Sequence, residues 1–228
     1  MQGVVFYNGP SVIDGKPIVA IATTRTRNRK TGDMLQTWIL RSRIDPVRAL
    51  QSGGDASICG GCYHRGTEER PRTCYVNVGQ APLAVYHAFK RGSYQKAPLA
   101  SVIKGPVRMG AYGDPAAVPI EAWAGVESAP IRTGYTHQWR QPFAEPFRKL
   151  LMASCDSPAE AIDAARAGWR SFLIRSLGSA KPEKAIECPA DTHGTQCSTC
   201  GLCQGAAVKA PSIFINAHGT AKRFIGNL

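Results

Sequence analysis

Eight cysteines punctuate this 228-residue chain, and seven of them fall into two groups. The first is Cys59-Gly60-Gly61-Cys62, joined by Cys74 after eleven residues. The second is Cys188, then Cys197-Ser198-Thr199-Cys200-Gly201-Leu202-Cys203. A C-x₂-C step puts two sulfurs on one tight turn, where both can face one ion, and flanking glycines permit the dihedrals this needs. Three such steps occur, at 59/62, 197/200 and 200/203. Metal ligation is the chemistry these residues are spaced to do.

Which metal is a separate question. The four thiolates of Cys188, Cys197, Cys200 and Cys203 can complete a tetrahedral zinc site or a full iron–sulfur cluster. The overlapping C-x₂-C-x₂-C run is the commoner pattern at 4Fe–4S clusters, whereas zinc knots use two separated C-x₂-C pairs. Cys59, Cys62 and Cys74 supply three ligands, which on a 4Fe–4S cube leave one iron open to substrate or cofactor. The alternative is zinc completed by His64 or another group. Cys155 stands apart and reads as a small packed residue at a strand end.

Charge adds a partner class. The chain carries 28 Lys and Arg against 16 Asp and Glu, a net +12, which points to an anionic partner such as a nucleic acid or nucleotide. The densest patch is Arg25, Arg27, Arg29 and Lys30, just before the turn signal Thr31-Gly32-Asp33. A hairpin tip bearing four cations can track a phosphate backbone, and the plainer alternative is a solvated turn. With 43% apolar and 19% charged residues, wholesale disorder is excluded. No apolar run approaches the ~18 residues of a membrane span, and Met1 to Asn8 lacks a signal-peptide pattern. The expectation is a cytoplasmic protein with no membrane partner, in which thiols stay reduced and serve metals.

These residues need elements to hold them. Residues 17–24 and 36–42 are strand-like, and the Gly- and Cys-rich segment 52–75 lacks periodicity and is too long for a plain loop. Residues 82–91 read as a helix. Strand-like and helix-like stretches then alternate: 107–112, 115–126, 133–139, 143–150, 151–154, 158–168 and 170–175, with further short strands at 185–188 and 212–217. The best-marked helix is 158–168, where Ser157 and Glu160 form a capping box and Gly168 is the stop. This alternation predicts an α/β fold with a parallel sheet, open or closed as a (β/α) barrel. Three regions are expected: an N-terminal basic β region over 1–35, a (β/α) core with the first cysteine group over 36–182, and a Cys-rich segment closing the core over 183–228.

In such a barrel, function gathers at the C-terminal ends of the strands. Gly113-Asp114, His137, Asp156, Arg175, Cys188 and His218 fall at such ends. Asp114 and His137 are the candidate catalytic residues, His137 as an acid/base, a fourth ligand or a stacking group. The plainer readings are that Asp114 caps the next helix, that His137 is a satisfied buried histidine, and that Asp156 belongs to a cap. Arg175 can meet a phosphate or carboxylate, and His193 and His218 are further candidate ligands.

The strand at 36–42, the cysteines Cys59, Cys62 and Cys74, and the helix at 82–91 resemble the radical-SAM superfamily. Its members hold a 4Fe–4S cluster by three cysteines after the first barrel strand, and S-adenosylmethionine binds the open iron. The superfamily's usual spacing is C-x₃-C-x₂-C, with an aromatic before the last cysteine; here it is C-x₂-C-x₁₁-C, and Tyr75 follows. The resemblance implies that Gly113 and Asp114 sit where a Gly-Gly-Glu-like motif meets the cofactor's amino group, and that Cys188 to Cys203 hold an auxiliary cluster. After residue 55 the chain also resembles a group of Cys-rich bacteriophage proteins, through Cys74-Tyr75, Gly113-Asp114, Tyr135-Thr136-His137, Cys188-Pro189-Ala190-Asp191-Thr192, Cys197 to Cys203, and Ala217-His218-Gly219. This implies a phage protein working in the infected cell's cytoplasm. Three functions remain open: a radical-SAM-like enzyme modifying nucleic acid or a nucleotide, a non-catalytic zinc-bound nucleic-acid-binding or host-takeover protein, and a SAM-independent iron–sulfur protein.

Overall fold

The computed structural model describes residues 3–24, 26, 28–176, 179 and 181–217. Arg25, Arg27 and His218, singled out above, lie outside the described residues. The strands are β1 (Gly3–Pro10), β2 (Pro17–Thr23), β3 (Leu35–Arg41), β4 (Gln95–Lys96), β5 (Val107–Tyr112), β6 (Arg132–Thr136), β7 (Met152–Cys155), β8 (Ser171–Arg175), β9 (Ala185–Glu187) and β10 (Ser212–Asn216). The α-helices are α1 (Pro46–Gln51), α2 (Ala56–Cys59), α3 (Ala81–Lys90), α4 (Pro158–Arg166), α5 (Pro189–Thr192) and α6 (Cys197–Cys200).

The ten strands line up as β4-β1-β2-β3-β5-β6-β7-β8-β10-β9. β1, β2 and β3 pair antiparallel, and every other pairing is parallel. The α/β expectation from alternating elements is met. No pairing among the described residues joins β4 to β9, the two ends of the order. No helix among the described residues is long and apolar enough to cross a membrane.

The strands separate two environments by their two-residue period. Ala153 and Cys155 of β7, Leu173 of β8 and Phe214 of β10 join the main core, with Val85 and Tyr86 of α3 and Ala164 of α4. Their neighbours Met152, Phe172, Ile213 and Ile215 form a second, smaller cluster with Cys188, against which Tyr135, Leu202 and Cys203 pack. Helices α3 and α4 therefore cover one face, and the second cysteine group lies over the other.

Two expected helices are absent. Residues 115–126 form short 3₁₀ turns at Pro115–Ala117 and Ile120–Trp123, with another at Val126–Ser128. Residues 143–150 are replaced by a 3₁₀ turn over Pro142–Phe147. Pro119 and Pro146 fall inside the expected helices, where each lacks the N–H an α-helix needs to propagate. Asn8-Gly9-Pro10 ends strand β1. β4 covers only Val4 and Val5 of β1, so Pro10 sits where no neighbour on that side asks for its N–H.

Helix α4 starts as its capping box dictates. Ser157 Oγ accepts the Glu160 N–H at 3.2 Å, and Glu160 Oε2 accepts the Asp156 N–H at 2.8 Å. Ser157→Ala should lower the unfolding free energy by about 1 kcal/mol without changing bound metal. Denaturant titration checks this, and an unchanged midpoint would contradict it.

Candidate metal centre

The three-cysteine segment leaves β3 and is tied back to it. The Arg41 guanidinium donates to Gly54 O at 2.9 Å and Ser57 Oγ at 3.0 Å. Arg65 pairs with the buried Asp55 at 3.0 Å. Ile58 O accepts the Asp114 N–H at 2.6 Å, and Cys59 O accepts Gln138 Nε2 at 3.0 Å. The long interval before Cys74 closes because the chain doubles back: the Thr73 and Cys74 N–H groups both donate to His64 O, at 3.1 and 2.9 Å. Arg72 then holds Cys74 O at 2.8 Å and Val76 O at 2.7 Å.

The four-cysteine segment is fixed from two sides. The Cys188 N–H donates to Phe214 O of β10 at 2.9 Å. The Cys197 and Ser198 N–H groups donate to Lys30 O and Thr31 O, each at 3.0 Å. Gln196 Nε2 reaches Arg29 O at 3.1 Å, and Lys30 Nζ pairs with Asp191 Oδ1 at 2.5 Å. The β2–β3 connection thus packs on the C-terminal cysteines. A side chain at Gly32 would meet Ser198 Oγ at 2.4 Å, and Gly32 has φ +68°, so this close approach requires glycine. Of the basic patch, Arg29 is exposed and Lys30 already has an acidic partner.

Both groups open on one cavity of about 230 Å³. Cys59, Cys62, Cys74, Cys188, Cys197, Cys200 and Cys203 all line it. Its floor is one face of the sheet, through Gly110, Tyr112, Tyr135, Ser154, Phe172, Ile174, Ile213 and Ile215. Burial pushes the Cys59 thiol well above its ordinary range, with Cys62 adding to the rise. Burial likewise raises Cys74, Cys188 and Cys197, and takes Cys203 to about 12. Thiolates here need a compensating positive charge. Arg108, which lines the cavity and donates to Tyr75 Oη at 3.0 Å, supplies one, and a bound metal would supply more.

Tyr112 also lines the cavity, is 4% exposed, and its hydroxyl has no hydrogen-bond partner. An orphaned buried hydroxyl costs about 1–3 kcal/mol. Burial raises its pKa, followed by the neighbouring Cys59. A metal-bound thiolate or sulfide beside it would give the O–H an acceptor, so thiols and phenol together fit a thiolate-held group. Among the described residues, the trio of candidate ligand atoms within 4.8 Å of one another is His64, His137 and Asp156; the cysteine sulfurs spread more widely.

The expected catalytic residues Asp114 and His137 both line the cavity. Asp114 lines the cavity, but its carboxylate is engaged: Oδ1 accepts Ala116 N–H at 3.0 Å, and Oδ2 accepts His137 N–H at 2.8 Å. Both the capping role and a tie between strand ends are realised. Burial raises its pKa. Gly113 has φ +79°, and a Cβ there would stand 2.7 Å from Ile39, so backbone packing explains this glycine. His137 Nε2 lies 3.6 Å from Cys62 Sγ and 3.9 Å from Asp156 Oδ2. Burial opposes its protonation, but Cys62 and Asp156 outweigh it and hold the imidazole pKa well above the usual value.

His64 and Asp156 form a pairing that spacing does not reveal. His64 Nε2 lies 2.9 Å from Asp156 Oδ1 and its Nδ1 lies 2.7 Å from Thr73 Oγ1. Burial works against Asp156 ionising, yet the hydrogen bonds from His137 and His64 drive its pKa below the ordinary range. Arg175 does not line the cavity; its guanidinium lies 5.5 Å over the Phe214 ring. His193 is exposed, 2.6 Å from Thr192 Oγ1. Cys155 faces the main core, fully buried, with its thiol 3.6 Å from Ala153 O.

Compared with known proteins, the chain matches no family model, no curated protein and no solved structure. The placement of Cys155 on the far face gives a direct check. In native metal-free protein under reducing conditions, Cys155 should stay unalkylated until denaturant is added, as read by mass spectrometry. Labelling of Cys155 in the native state would contradict its burial.

Proposed function

We propose that this protein is an iron–sulfur enzyme of radical-SAM type acting on a nucleic acid or nucleotide. The observation that carries the reading is the single cavity into which both cysteine groups open, on one face of a parallel sheet. Six strands, β3, β5, β6, β7, β8 and β10, run parallel in chain order. Strands running parallel in chain order are what a part of a (β/α) barrel uses, while β4 beside β1 and β9 outside β10 depart from that order.

Cys59, Cys62 and Cys74 follow β3 and precede α3, and would hold the cluster with an open iron. Cys188, Cys197, Cys200 and Cys203 would hold an auxiliary one across the cavity. When bound and reduced, the open cluster would supply one electron for reductive cleavage of S-adenosylmethionine into methionine and a 5′-deoxyadenosyl radical. The remaining roles belong to the chain. Asp114 positions His137 by its backbone and joins the ends of β5 and β6. His137 stands at the cavity wall with its Nε2 3.6 Å from Cys62 Sγ. Arg108 presents a positive charge at the cavity wall to an anionic ligand, and exposed Arg29 lies between Asn28 and Lys30, which line the cavity. With the net +12, these cations favour a phosphate-bearing substrate.

Among the described residues no three cysteine sulfurs lie within 4.8 Å of one another, a spacing that suits a cluster better than a single zinc. Four thiolates around one zinc at ~2.3 Å stand within about 4 Å of one another. Iron atoms at separate corners of a cube ask for no such convergence.

Under strict anaerobiosis, the reconstituted protein with dithionite and S-adenosylmethionine should form methionine and 5′-deoxyadenosine. Neither product from fully iron-loaded protein would contradict the reading and leave a SAM-independent cluster. Cys74→Ala should remove one cluster and leave the other. Full iron content in that variant would contradict the assignment of Cys74.

A further inference from the structure

We infer that His64, His137 and Asp156 form a mononuclear metal site of their own, bordering the first cysteine group, with His137 Nε2 3.6 Å from Cys62 Sγ. Their ligand atoms lie within 4.8 Å of one another. His64 and Asp156 side chains are 7% and 11% exposed, and His137 is 20% exposed. Two imidazoles and a carboxylate suit a first-row divalent ion such as zinc, iron(II) or cobalt(II), and suit magnesium or calcium poorly.

The surroundings are those of a built ligand set. His64 aims Nε2 at the shared centre while Thr73 holds its Nδ1 at 2.7 Å, the outer support that fixes a ligating histidine's tautomer. Asp114 anchors the His137 backbone at 2.8 Å, and Glu160 anchors that of Asp156 at 2.8 Å. The observed arrangement, with His64 Nε2 2.9 Å from Asp156 Oδ1 and His137 Nε2 3.9 Å from Oδ2, is then the metal-free form. A metal would replace the protons on the two Nε2 atoms and release them to solvent.

The site also has access. His137 and Asp156 line a second, outer cavity of about 350 Å³, with Arg70 and Arg140 on its wall. His64 and His137 line the inner, cysteine-walled cavity as well. The trio therefore stands in the partition between the two, and three protein ligands leave a coordination position free for water or substrate.

The test is independent of the iron–sulfur reading, because it is made at the zinc edge. Zinc-loaded wild-type protein should show imidazole in the X-ray absorption fine structure, with nitrogen or oxygen neighbours at ~2.0–2.1 Å. Asp156→Asn and His64→Gln, both polar replacements close in size, should each bind one zinc fewer than wild type, with iron and sulfide unchanged. A zinc shell of sulfur alone in the wild type, which needs no variant to fold, would overturn the site. Equal zinc content in wild type and both variants would overturn it too.

Discussion

A buried thiol resists ionisation, yet only the thiolate binds a metal. Cys59, Cys74, Cys188, Cys197 and Cys203 all sit where burial raises their pKa, and all face one cavity. A thiol-lined cavity is stable as neutral S–H groups or as thiolates neutralised by a cation; thiolates alone would repel one another across a poorly solvated space. The Tyr112 hydroxyl, buried without a partner on the same wall, tilts the balance toward an occupied state. The metal reading rests on this electrostatic constraint.

The architecture follows from holding sulfurs that are far apart in sequence. Period-two alternation sends Ala153, Cys155, Leu173 and Phe214 to the helix-covered core and Phe172, Ile213 and Ile215 to the cavity side. The helices can then stabilise the sheet without filling the site. The two cysteine segments are fastened by backbone hydrogen bonds at opposite ends of the chain's course: Cys74 to His64, and Cys197 and Ser198 to Lys30 and Thr31. The basic β2–β3 connection is therefore part of the structure around the second cysteine group as well as a charged rim.

Much of this was legible in the sequence where the signal is local. β5 falls at the expected residues, and α4 starts at its capping box. The C-x₂-C steps identified five of the seven cysteines that line one cavity. The stretches 115–126 and 143–150 read as helices, and Pro119 and Pro146 inside them leave short 3₁₀ segments instead. Long-range geometry was not legible at all. His64 and Asp156 are 92 residues apart, and nothing local to either marks the other. Asp114 had both a capping and a catalytic reading, and the fold uses its two oxygens for a cap and a strand-end tie. That one cavity serves both cysteine groups depends on the docking of residues 196–198 at Gly32, a contact no periodicity announces.

The central claim is that the cysteine-lined cavity holds iron–sulfur chemistry. The most direct measurement is iron, zinc and acid-labile sulfide content of anaerobically purified protein, with Mössbauer spectra of iron-57-enriched material. The account predicts iron and sulfide in equal amounts, with the spectrum of 4Fe–4S clusters. Colourless protein carrying zinc on its cysteines and no labile sulfide would contradict it.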